Sequence, residues 1–536
     1  MDLFAPLLDR LVTTPARNRK IALLADYFGI ALDPDRGMAL ACLTDGLPLK
    51  IAWRRTLLDL MSERSDPVLY KLSRDYIGDT AETIALLWPD GDEHASPRLG
   101  EIVAAFNDSP RGHHARLIAD HLDRLDARGR WAFLKLIGGA PRAGVSARLA
   151  KVALAEWANR DVAEIEEIWH ALEPPYLELF AWLEGRADRP DPGTKAVFRP
   201  VMLAHPIEEA DWAGFNPSDF AAEWKWDGIR VQVSARDDDV RLFSRAGDDV
   251  SAAFPEVCSA FLGRNAVADG ELLVVRNGVI APFNDLQQRL NRKVVSARML
   301  REFPAHVRLY DLLIEGGADL RGLPFHDRRK RLEDWHGREL PPATDLSELV
   351  EFRSREELDA IWAAARASAI EGLMLKRLDG PYLAGRVKGQ WWKWKRAALT
   401  IDCVLMYAQR GSGKRSSLYS DYTFGVWRPA ADPAQPRELV PVGKAYSGFT
   451  DAELKLLDRW IRENTTDRFG PVLAVAPGLV LEIAFDAVHR SARHKSGVAM
   501  RFPRIHRIRW DKPAPEADTL TTVIGLIDIA AGKQAG

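Results

Sequence analysis

Residues Glu223-Trp-Lys-Trp-Asp-Gly-Ile-Arg230 place a single lysine two residues before an Asp-Gly pair. The chain continues with the alternating run Ile229-Arg-Val-Gln-Val-Ser234, a polar turn at Arg236-Asp-Asp-Asp239 and a second alternating run, Val240-Arg-Leu-Phe-Ser-Arg245. Two alternating runs around a polar turn predict a β-hairpin. On this segment alone, a surface hairpin with an ordinary Asp-Gly turn explains the residues as well as a reactive lysine does.

A lysine in this setting is a nucleophile only if neighbouring cations favour its uncharged amine. Such cations occur in Trp391-Trp-Lys-Trp-Lys395, where strict alternation puts Lys393 and Lys395 on one face of a predicted strand. Trp392 and Trp394 then anchor the other face. Two ammonium groups on one face are costly unless they meet an anion, and a phosphate fits. The alternative is a solvated edge strand whose lysines discourage aggregation.

The spacing of apolar residues divides the chain into three parts. Residues 1–190 show helical spacing and predict an all-α domain, which ends in the linker-like Gly185-Arg-Ala-Asp-Arg-Pro-Asp-Pro-Gly193. Residues 196–399 mix short strands with helices and predict an α+β domain. Residues 400–536 return to strands around one helix near residues 451–462, which predicts a small β-barrel.

Composition sets the broad class. The chain has 536 residues, 47% of them hydrophobic and 28% charged, as expected for a multidomain globular protein. A net charge of −2 does not indicate a nucleic-acid binder, so local charge must decide. Cys42, Cys258 and Cys403 lie far apart, which argues for a reducing cytoplasm and against a zinc ribbon. We see no basic leader and no spanning apolar run, so secretion and membrane insertion are disfavoured.

Seven segments appear in an order that resembles the ATP-dependent DNA ligases of the covalent lysine nucleotidyltransferase superfamily. They are Glu223-Trp-Lys-Trp-Asp-Gly-Ile-Arg230, Ser244-Arg-Ala-Gly-Asp-Asp-Val-Ser-Ala-Ala-Phe-Pro-Glu256, Asp269-Gly-Glu271, Tyr310-Asp-Leu-Leu313, Glu371-Gly-Leu-Met-Leu-Lys376, Trp392-Lys-Trp-Lys395 and Phe502-Pro-Arg-Ile-His-Arg-Ile-Arg-Trp-Asp-Lys512. The resemblance covers about residues 196–520. It implies a nucleotidyltransferase domain followed by an OB-fold.

The resemblance also implies a role for each matching residue. Lys225 would attack the α-phosphate of ATP and carry AMP. The residues implied to bind ATP or AMP are Glu223, Arg230, Arg245, Glu271, Tyr310, Arg386, Lys393 and Lys395. Tyr310 would stack on the purine, although a core tyrosine is the alternative. Arg386 needs about one residue of extra spacing to match the family.

Two further sets follow from the same resemblance. Glu371, assisted by Glu271, would hold a divalent metal, and hard oxygen ligands beside a phosphate indicate Mg²⁺. In the terminal segment, the residues implied to orient the departing pyrophosphate on domain closure are Arg507, Arg509, Asp511 and Lys512. A generic basic strand facing DNA is the alternative interpretation.

The N-terminal part points to DNA as the acceptor. Phe133-Leu-Lys-Leu-Ile-Gly-Gly-Ala-Pro-Arg-Ala-Gly-Val-Ser-Ala-Arg148 resembles the glycine-containing turn of the helical DNA-binding domain in larger ligases. There Arg142, Ser146 and Arg148 would grip phosphates, unless the glycines only join two packed helices. Basic loops at Gln409-Arg-Gly-Ser-Gly-Lys-Arg415 and residues 490–497 suggest further phosphate contacts.

These observations predict a bacterial ATP-dependent ligase that seals nicked duplex DNA, serves DNA repair, and works as a cytoplasmic, nucleoid-associated monomer encircling DNA. An RNA ligase or a capping guanylyltransferase is the enzymatic alternative, because the Lys225 segment alone does not name the acceptor. A non-catalytic DNA-binding protein on the same scaffold is the third interpretation. It is disfavoured by the joint presence of Lys225, Glu371, Lys393 and Lys395.

Overall fold

The computed structural model describes residues 1–47, 49, 51, 53–91, 96–139, 141–290, 292–364, 370–395, 398–410, 419–429, 437–446, 451–492 and 494–530. The chain divides into two compact units. One contains Met1–Ala150 and Ala397–Gly536, and the other is Lys151–Arg396. Among the described residues, no helix combines the length and the apolar character needed to cross a membrane.

The N-terminal part is helical, as predicted. Its helices are α1 (Phe4–Thr13), α2 (Arg17–Ile30), α3 (Asp35–Leu43), α4 (Trp53–Arg64), α5 (Pro67–Ile77), α6 (Thr80–Leu87), α7 (Leu99–Asp108), α8 (His114–Asp123), α9 (Ala127–Ile137), α10 (Ala147–Ala158), α11 (Val162–Ile168) and α12 (Leu177–Leu183). Helix α1 shows why the pattern folds this way. Phe4, Leu7, Leu8 and Leu11 recur at helical spacing and are all buried.

Helices α11 and α12 belong to the second unit, and a charge cluster fixes α11 there. Glu167 accepts a hydrogen bond from Arg321 at 2.6 Å and another from Arg189 at 3.1 Å, and Arg199 lies 3.8 Å away. Just beyond α11, the His170 ring packs 4.4 Å from that of Phe243. These contacts tie the last helices to the strands that follow.

The second unit continues with alternating strands and short helices. They are β1 (His205–Pro206), α13 (Glu209–Trp212), β2 (Phe220–Trp226), β3 (Ile229–Arg236), β4 (Asp239–Ser244), α14 (Pro255–Ala260), β5 (Ala266–Arg276), β6 (Val279–Ile280), α15 (Phe283–Gln287), α16 (Ala297–Glu302), β7 (Ala305–Glu315), β8 (Ala318–Asp319), α17 (Phe325–Glu339), β9 (Thr344–Leu346), β10 (Leu349–Val350), α18 (Arg355–Ala364), β11 (Ile370–Arg377) and β12 (Trp391–Lys395).

These strands form two sheets. The first has the order β1-β12-β11-β2-β10, and the second follows the path β4-β3-β5-β7-β8, with β6 and β9 added beside β5 and β7. The predicted hairpin is present as β3 and β4. Asp227-Gly228, however, is not a hairpin turn, because it carries the chain from β2 in the first sheet to β3 in the second. A Cβ on Gly228 would lie 2.5 Å from the Leu272 carbonyl oxygen, so only glycine fits this crossing.

The C-terminal part is rich in sheet, again as predicted. Its elements are β13 (Leu399–Arg410), β14 (Tyr419–Arg428), β15 (Glu438–Ala445), α19 (Asp451–Glu463), β16 (Thr465–Phe469), β17 (Val472–Val475), β18 (Val480–Phe485), β19 (Ala487–Arg490), β20 (Val498–Arg501), β21 (Arg504–Arg509) and α20 (Leu520–Ala530). The main sheet follows β15-β14-β13-β17-β16, and β18 joins β13 to β21. Leu457 and Ile461 of α19 are buried in the core of this part.

One fully buried ion pair supports β7 directly beside Tyr310. Arg328 on α17 donates to both carboxylate oxygens of Asp311, at 2.8 and 3.0 Å, and both side chains are 0% exposed. The pair fixes the strand segment that carries Tyr310. Removing one partner would leave an uncompensated charge in the core.

We therefore expect Arg328→Met to lower the free energy of unfolding by about 3–5 kcal/mol. Arg331→Met is the matched control, because Arg331 is 48% exposed and pairs with Glu315 at the surface. Its cost should stay below about 1 kcal/mol. Chemical denaturation measures both changes, and equal effects of the two variants would contradict the buried-pair account.

Candidate active site

Lys225 lies near the end of β2 and is held by a carboxylate from the adjacent strand. Its Nζ is 2.6 Å from Oε2 of Glu371, the first carboxylate of β11. The Lys395 ammonium reaches the same oxygen at 3.0 Å from β12. Burial alone would raise the pKa of Glu371, but the two ammonium groups hold that pKa at about 2. One carboxylate therefore joins three neighbouring strands at the candidate nucleophile.

Gly372 makes this close arrangement sterically possible. Its φ is +149°, and a Cβ at this position would lie 2.0 Å from the Trp394 carbonyl oxygen. Gly372 pairs in register with Lys225 on one side and with Lys395 on the other. The regular pairing of β11 with β2 is interrupted between Ile370 and Gly372, where Glu371 sits. The strand irregularity thus aims Glu371 at both lysines.

A cluster of positive charge surrounds Lys393. Burial lowers the pKa of the Lys393 ammonium. Nearby cations lower it further, in the order Arg386, Lys395, Arg245 and Lys225. Because like charges at short range repel unless an anion lies between them, this cluster is a site for phosphate groups. The sequence prediction that Lys393 and Lys395 share one face is confirmed, since Trp392 and Trp394 pack on the opposite, apolar side.

Two tight backbone features present the arginines of this cluster. The Ser244 hydroxyl accepts hydrogen bonds from the amides of Ala246 and Asp248, at 3.2 and 3.1 Å, and so builds the turn that exposes Arg245. Arg386 follows Gly385, whose amide donates to the Val201 carbonyl at 2.9 Å. The loop carrying Arg386 is therefore pinned to the chain before β1.

Arg230 is buried in a hydrogen-bonded network. It donates to Asp269 at 2.6 Å and to the Tyr382 hydroxyl at 3.0 Å, and it also bonds the Met202 carbonyl. Asp269 is fully buried, and the Tyr382 hydroxyl donates to it as well. Nε of Arg230 is buried and has no protein hydrogen-bond partner. A ligand oxygen beside it would satisfy that remaining donor.

Next to this network, Tyr310 forms part of an aromatic cluster with Tyr382 and Trp391. Its half-buried ring meets that of Trp391 edge-on, at 6.5 Å between centroids. The Lys376 ammonium lies 4.4 Å from the Tyr310 centroid and donates to Glu223 at 2.8 Å. Burial lowers the pKa of Lys376, and Glu223 opposes that effect. One carboxylate oxygen of Glu223 is thus already engaged by the protein.

Glu271 on β5 is the second carboxylate near Lys225. Burial raises its pKa to about 7, although the charges of Lys225 and Arg230 act in the opposite direction. A bound cation would remove this cost, so the site suits a hard metal ion. Among the described residues, no group of three or more His, Cys, Asp or Glu side chains could hold a metal. Glu271 and Glu371 would therefore share it with phosphate and water, as Mg²⁺ commonly requires.

The raised pKa of Glu271 predicts a pH-dependent stability difference. Since the unfolded Glu271 ionises near pH 4.5 and the folded one near pH 7, this residue lowers stability progressively as pH rises through that interval. Glu271→Gln lacks this effect. The melting temperature of Glu271→Gln relative to the native protein should therefore increase from pH 5 to pH 7 and then level off. A difference independent of pH would contradict the assignment.

The four residues of the terminal segment lie at the end of β21 and just after it, in the first unit. Arg509 and Lys512 contact the same Asp402 oxygen, at 3.2 and 2.8 Å. Arg507 pairs with Glu482 at 3.2 Å. Asp511 lies 2.9 Å from Arg509. These cations are paired with carboxylates of the same region. A phosphate ligand would have to replace those carboxylates as the partner of each cation.

The predicted DNA-binding turn joins α9 to α10. Arg142 is exposed and has a φ of +50°, and the Ser146 hydroxyl caps α10 by accepting from the Leu149 amide at 3.2 Å. Arg148 is partly exposed in the first turn of α10. Buried Lys20 donates to the carbonyls of residues 143 and 144, at 2.7 and 3.1 Å. That contact holds the turn on the helical scaffold and leaves Arg142 facing outward.

Several important residues were missed by the sequence analysis. They are Asp269 and Tyr382 around Arg230, Lys376 beside Tyr310, Asp402 beside Lys512, and Lys20 under the Arg142 turn. Asp269 and Lys376 lie within two of the segments that carry the family resemblance, so their place in those segments could have marked them as site residues. For Lys20 and Asp402 nothing in the local sequence indicated the partner. Within the basic loop at 409–415, residues 411–415 lie outside the described residues.

The second unit brings together a lysine paired with a carboxylate, a cluster of cations suited to phosphate groups, and an aromatic cluster around Tyr310. This combination is typical of an enzyme that acts on a nucleotide. Residues 201–395 match the model of the ATP dependent DNA ligase domain, and residues 415–512 match the ATP dependent DNA ligase C terminal region.

Relatives extend the match to nearly the whole chain. A probable DNA ligase of Koribacter versatilis is 33% identical over 97% of this chain and 95% of its own. DNA ligase 1 of Korarchaeum cryptofilum is 30% identical over 97% and 96%. The solved structure named Pmar-Lig_PreS3 shares the fold over 94% of this chain and 99% of its own, with 16% identity and a TM-score of 0.57. The chain belongs to the ATP-dependent DNA ligase family.

Membership settles the substrate class and the cofactors predicted from the sequence. The family uses ATP with Mg²⁺ and joins ends in DNA, which confirms the enzymatic interpretation over the non-catalytic one. The comparisons address the family as a whole. The roles of individual residues in this chain are taken up next.

Proposed function

We propose that Lys225 is the adenylylated residue and that the enzyme seals nicks in duplex DNA in three steps. The observation that carries this proposal is the Lys225–Glu371–Lys395 arrangement beside the cationic cluster. In the first step, the Lys225 nitrogen forms a bond to the α-phosphorus of ATP, and the bond from that phosphorus to pyrophosphate breaks. AMP then passes to the 5′-phosphate, and the 3′-hydroxyl displaces it.

Glu371 controls when Lys225 can react. Its carboxylate holds the Lys225 ammonium at 2.6 Å, and it is also one of the two proposed ligands of Mg²⁺, together with Glu271. If Glu371 bound the metal, Lys225 would lose its counter-charge beside the cationic cluster. Bound Mg²⁺ would supply charge neutralisation at the phosphates.

The remaining residues of the second unit position the nucleotide. Tyr310 would stack on the purine, and Glu223 would accept from the adenine amino group through its other carboxylate oxygen or its carbonyl. Arg230 and Glu271 would contact the ribose and the nucleotide. Arg245, Arg386, Lys393 and Lys395 hold the phosphates. The pairing of Glu223 with Lys376 supports this reading, because it fixes the carboxylate in one orientation.

The C-terminal part is proposed to be an OB-fold that closes over the nucleotide. Arg507, Arg509, Asp511 and Lys512 would then orient the pyrophosphate. Closure would exchange the observed pairs with Asp402 and Glu482 for contacts to phosphate oxygens. Binding the anion therefore has to offset the loss of those pairs, which ties closure to the presence of ATP.

Beyond the catalytic unit, Arg142, Ser146 and Arg148 are proposed to bind the DNA backbone. The exposure of Arg142 on a turn held by Lys20 supports this role. We also propose the domain bounds 1–190, 196–399 and 400–536, and a monomer that encircles DNA. A repair role in the bacterial cytoplasm, in association with the nucleoid, completes the proposal.

Incubation with α-labelled ATP and Mg²⁺ should give an acid-labile protein label that Lys225→Ala abolishes. Lys225→Arg should abolish it too, because it keeps the charge opposite Glu371 but offers no comparable nucleophile. Gel autoradiography measures the label. Persistent label on either variant, or no label on the native protein, would overturn the proposed nucleophile.

The same assay separates the alternative acceptors and nucleotides. We expect labelling from ATP rather than GTP, and sealing of nicked DNA rather than nicked RNA. A preference for GTP would favour a capping activity, and a preference for RNA ends would favour an RNA ligase.

Arg142→Ala should weaken binding to nicked duplexes of different sequence by a similar factor, because a phosphate contact carries no base information. The slope of log affinity against log salt should fall by about 1. Fluorescence anisotropy over a salt series measures this slope, with Arg116→Ala as the control, since Arg116 is 88% exposed at the surface of α8. An unchanged slope in Arg142→Ala would exclude a direct phosphate contact.

A further inference from the structure

A stack of tryptophans supports the end of β12 from behind. The Trp362 ring on α18 lies parallel to that of Trp394, at 5.1 Å between centroids and 11° between planes. Trp362 Nε1 also donates to the Trp394 carbonyl at 3.3 Å. Trp212 contacts the Trp394 ring edge-on at 5.0 Å. Trp394 is thus held through both its side chain and its backbone.

The Trp394 carbonyl that Trp362 binds lies on the inner side of β12, facing β11. On the outer side, the Lys393 carbonyl accepts from the Ile207 amide at 3.1 Å, and successive carbonyls of a strand point to opposite sides. Trp394 pairs in register with Leu373 of β11, and a Cβ on Gly372 would lie 2.0 Å from the Trp394 carbonyl oxygen. The indole of Trp362 therefore links α18 to the point where β12 meets β11.

This hold lies one residue from the reactive cluster. Lys395 follows Trp394 and shares Glu371 with Lys225. The compact unit ends at Arg396, where the chain passes to the C-terminal part. Lys395 is therefore both a member of the phosphate cluster and the last residue of β12.

We propose that Trp362 is a positioning residue for adenylylation: it clamps the end of β12 so that Lys395 stays beside Glu371 in the phosphate cluster. The inference rests on the proposed function of Lys225. Trp362 itself touches no reacting atom and acts through Trp394 and Lys395.

Loss of the clamp should slow the reaction more than it weakens nucleotide binding. ATP is held by many groups besides Lys395, so KM should change less than about twofold. The rate of label transfer to Lys225 at saturating ATP should fall on the order of tenfold, since an ångström of misplacement can cost a hundredfold. A residue that only stabilises the fold would lower the melting temperature without this change in rate.

The test compares graded variants with a matched control in single-turnover labelling. Trp362→Phe keeps a stacking ring but loses the N–H donor, and Trp362→Leu loses both. Trp335→Phe is the control, because Trp335 is a buried tryptophan of the same unit, stacked on Phe261 at 6.0 Å in a core cluster separate from that of Trp362 and Trp394. The expected order of saturating rates is native, then Trp362→Phe, then Trp362→Leu. Trp335→Phe should lower only the melting temperature.

Rates equal to the native rate in both Trp362 variants would overturn the positioning role, whatever their melting temperatures. If Trp362→Leu does not fold, the loss or retention of rate in Trp362→Phe decides the question. If the native protein is labelled and the label requires Lys225, the proposed function stands. Unchanged rates in the Trp362 variants would then overturn only the role of Trp362. Absence of that labelling overturns the proposed function, and the clamp with it.

Discussion

The Glu371 carboxylate, shared between Lys225 and Lys395, is the interaction on which the rest of the second unit depends. It joins three adjacent strands at a point where two positive charges would otherwise repel each other. The lowered pKa of Glu371, about 2, shows that the carboxylate stays ionised despite its burial. If the Glu371 carboxylate bound another cation, the ammonium groups of Lys225 and Lys395 would be available to bind an anion.

Two glycines, an aromatic layer and a buried hydrogen-bond network support the residues around Glu371. Gly372 lets β11 approach β12, and Gly228 lets the chain pass closely over Glu271 from one sheet to the other. The aromatic layer behind β12 keeps its lysines on the open face. The buried network around Asp269 fixes Arg230. The strain and the buried charge lie where the proposed chemistry takes place, as is common at active sites.

Local patterns in the sequence predicted many of the helices and hairpins, because these elements depend mainly on residues that are close together in the chain. The β3–β4 hairpin and the helix at Asp451 appear where periodicity placed them. Alternation also assigned Lys393 and Lys395 to one face. The alternative that Asp227-Gly228 forms a hairpin turn was wrong. Strands β2 and β3 belong to different sheets because β2 pairs with β11 and β3 pairs with β5, and both partners lie later in the chain.

Side-chain partners were the least predictable part of the site. The pairing of Glu223 with Lys376 joins residues 153 positions apart, and no local pattern encodes it. The family resemblance supplied residue identities for the site but not these contacts. They arise from the pairing of strands that are distant along the chain, such as β2 with β11.

Intact-protein mass spectrometry after incubation with ATP and Mg²⁺ tests the central claim most directly. The account predicts a mass increase of one adenylyl group, located by peptide mapping on Lys225 and lost when pyrophosphate is added in excess. An adduct on any other lysine, or an unmodified protein under conditions in which nicked DNA is sealed, would contradict it.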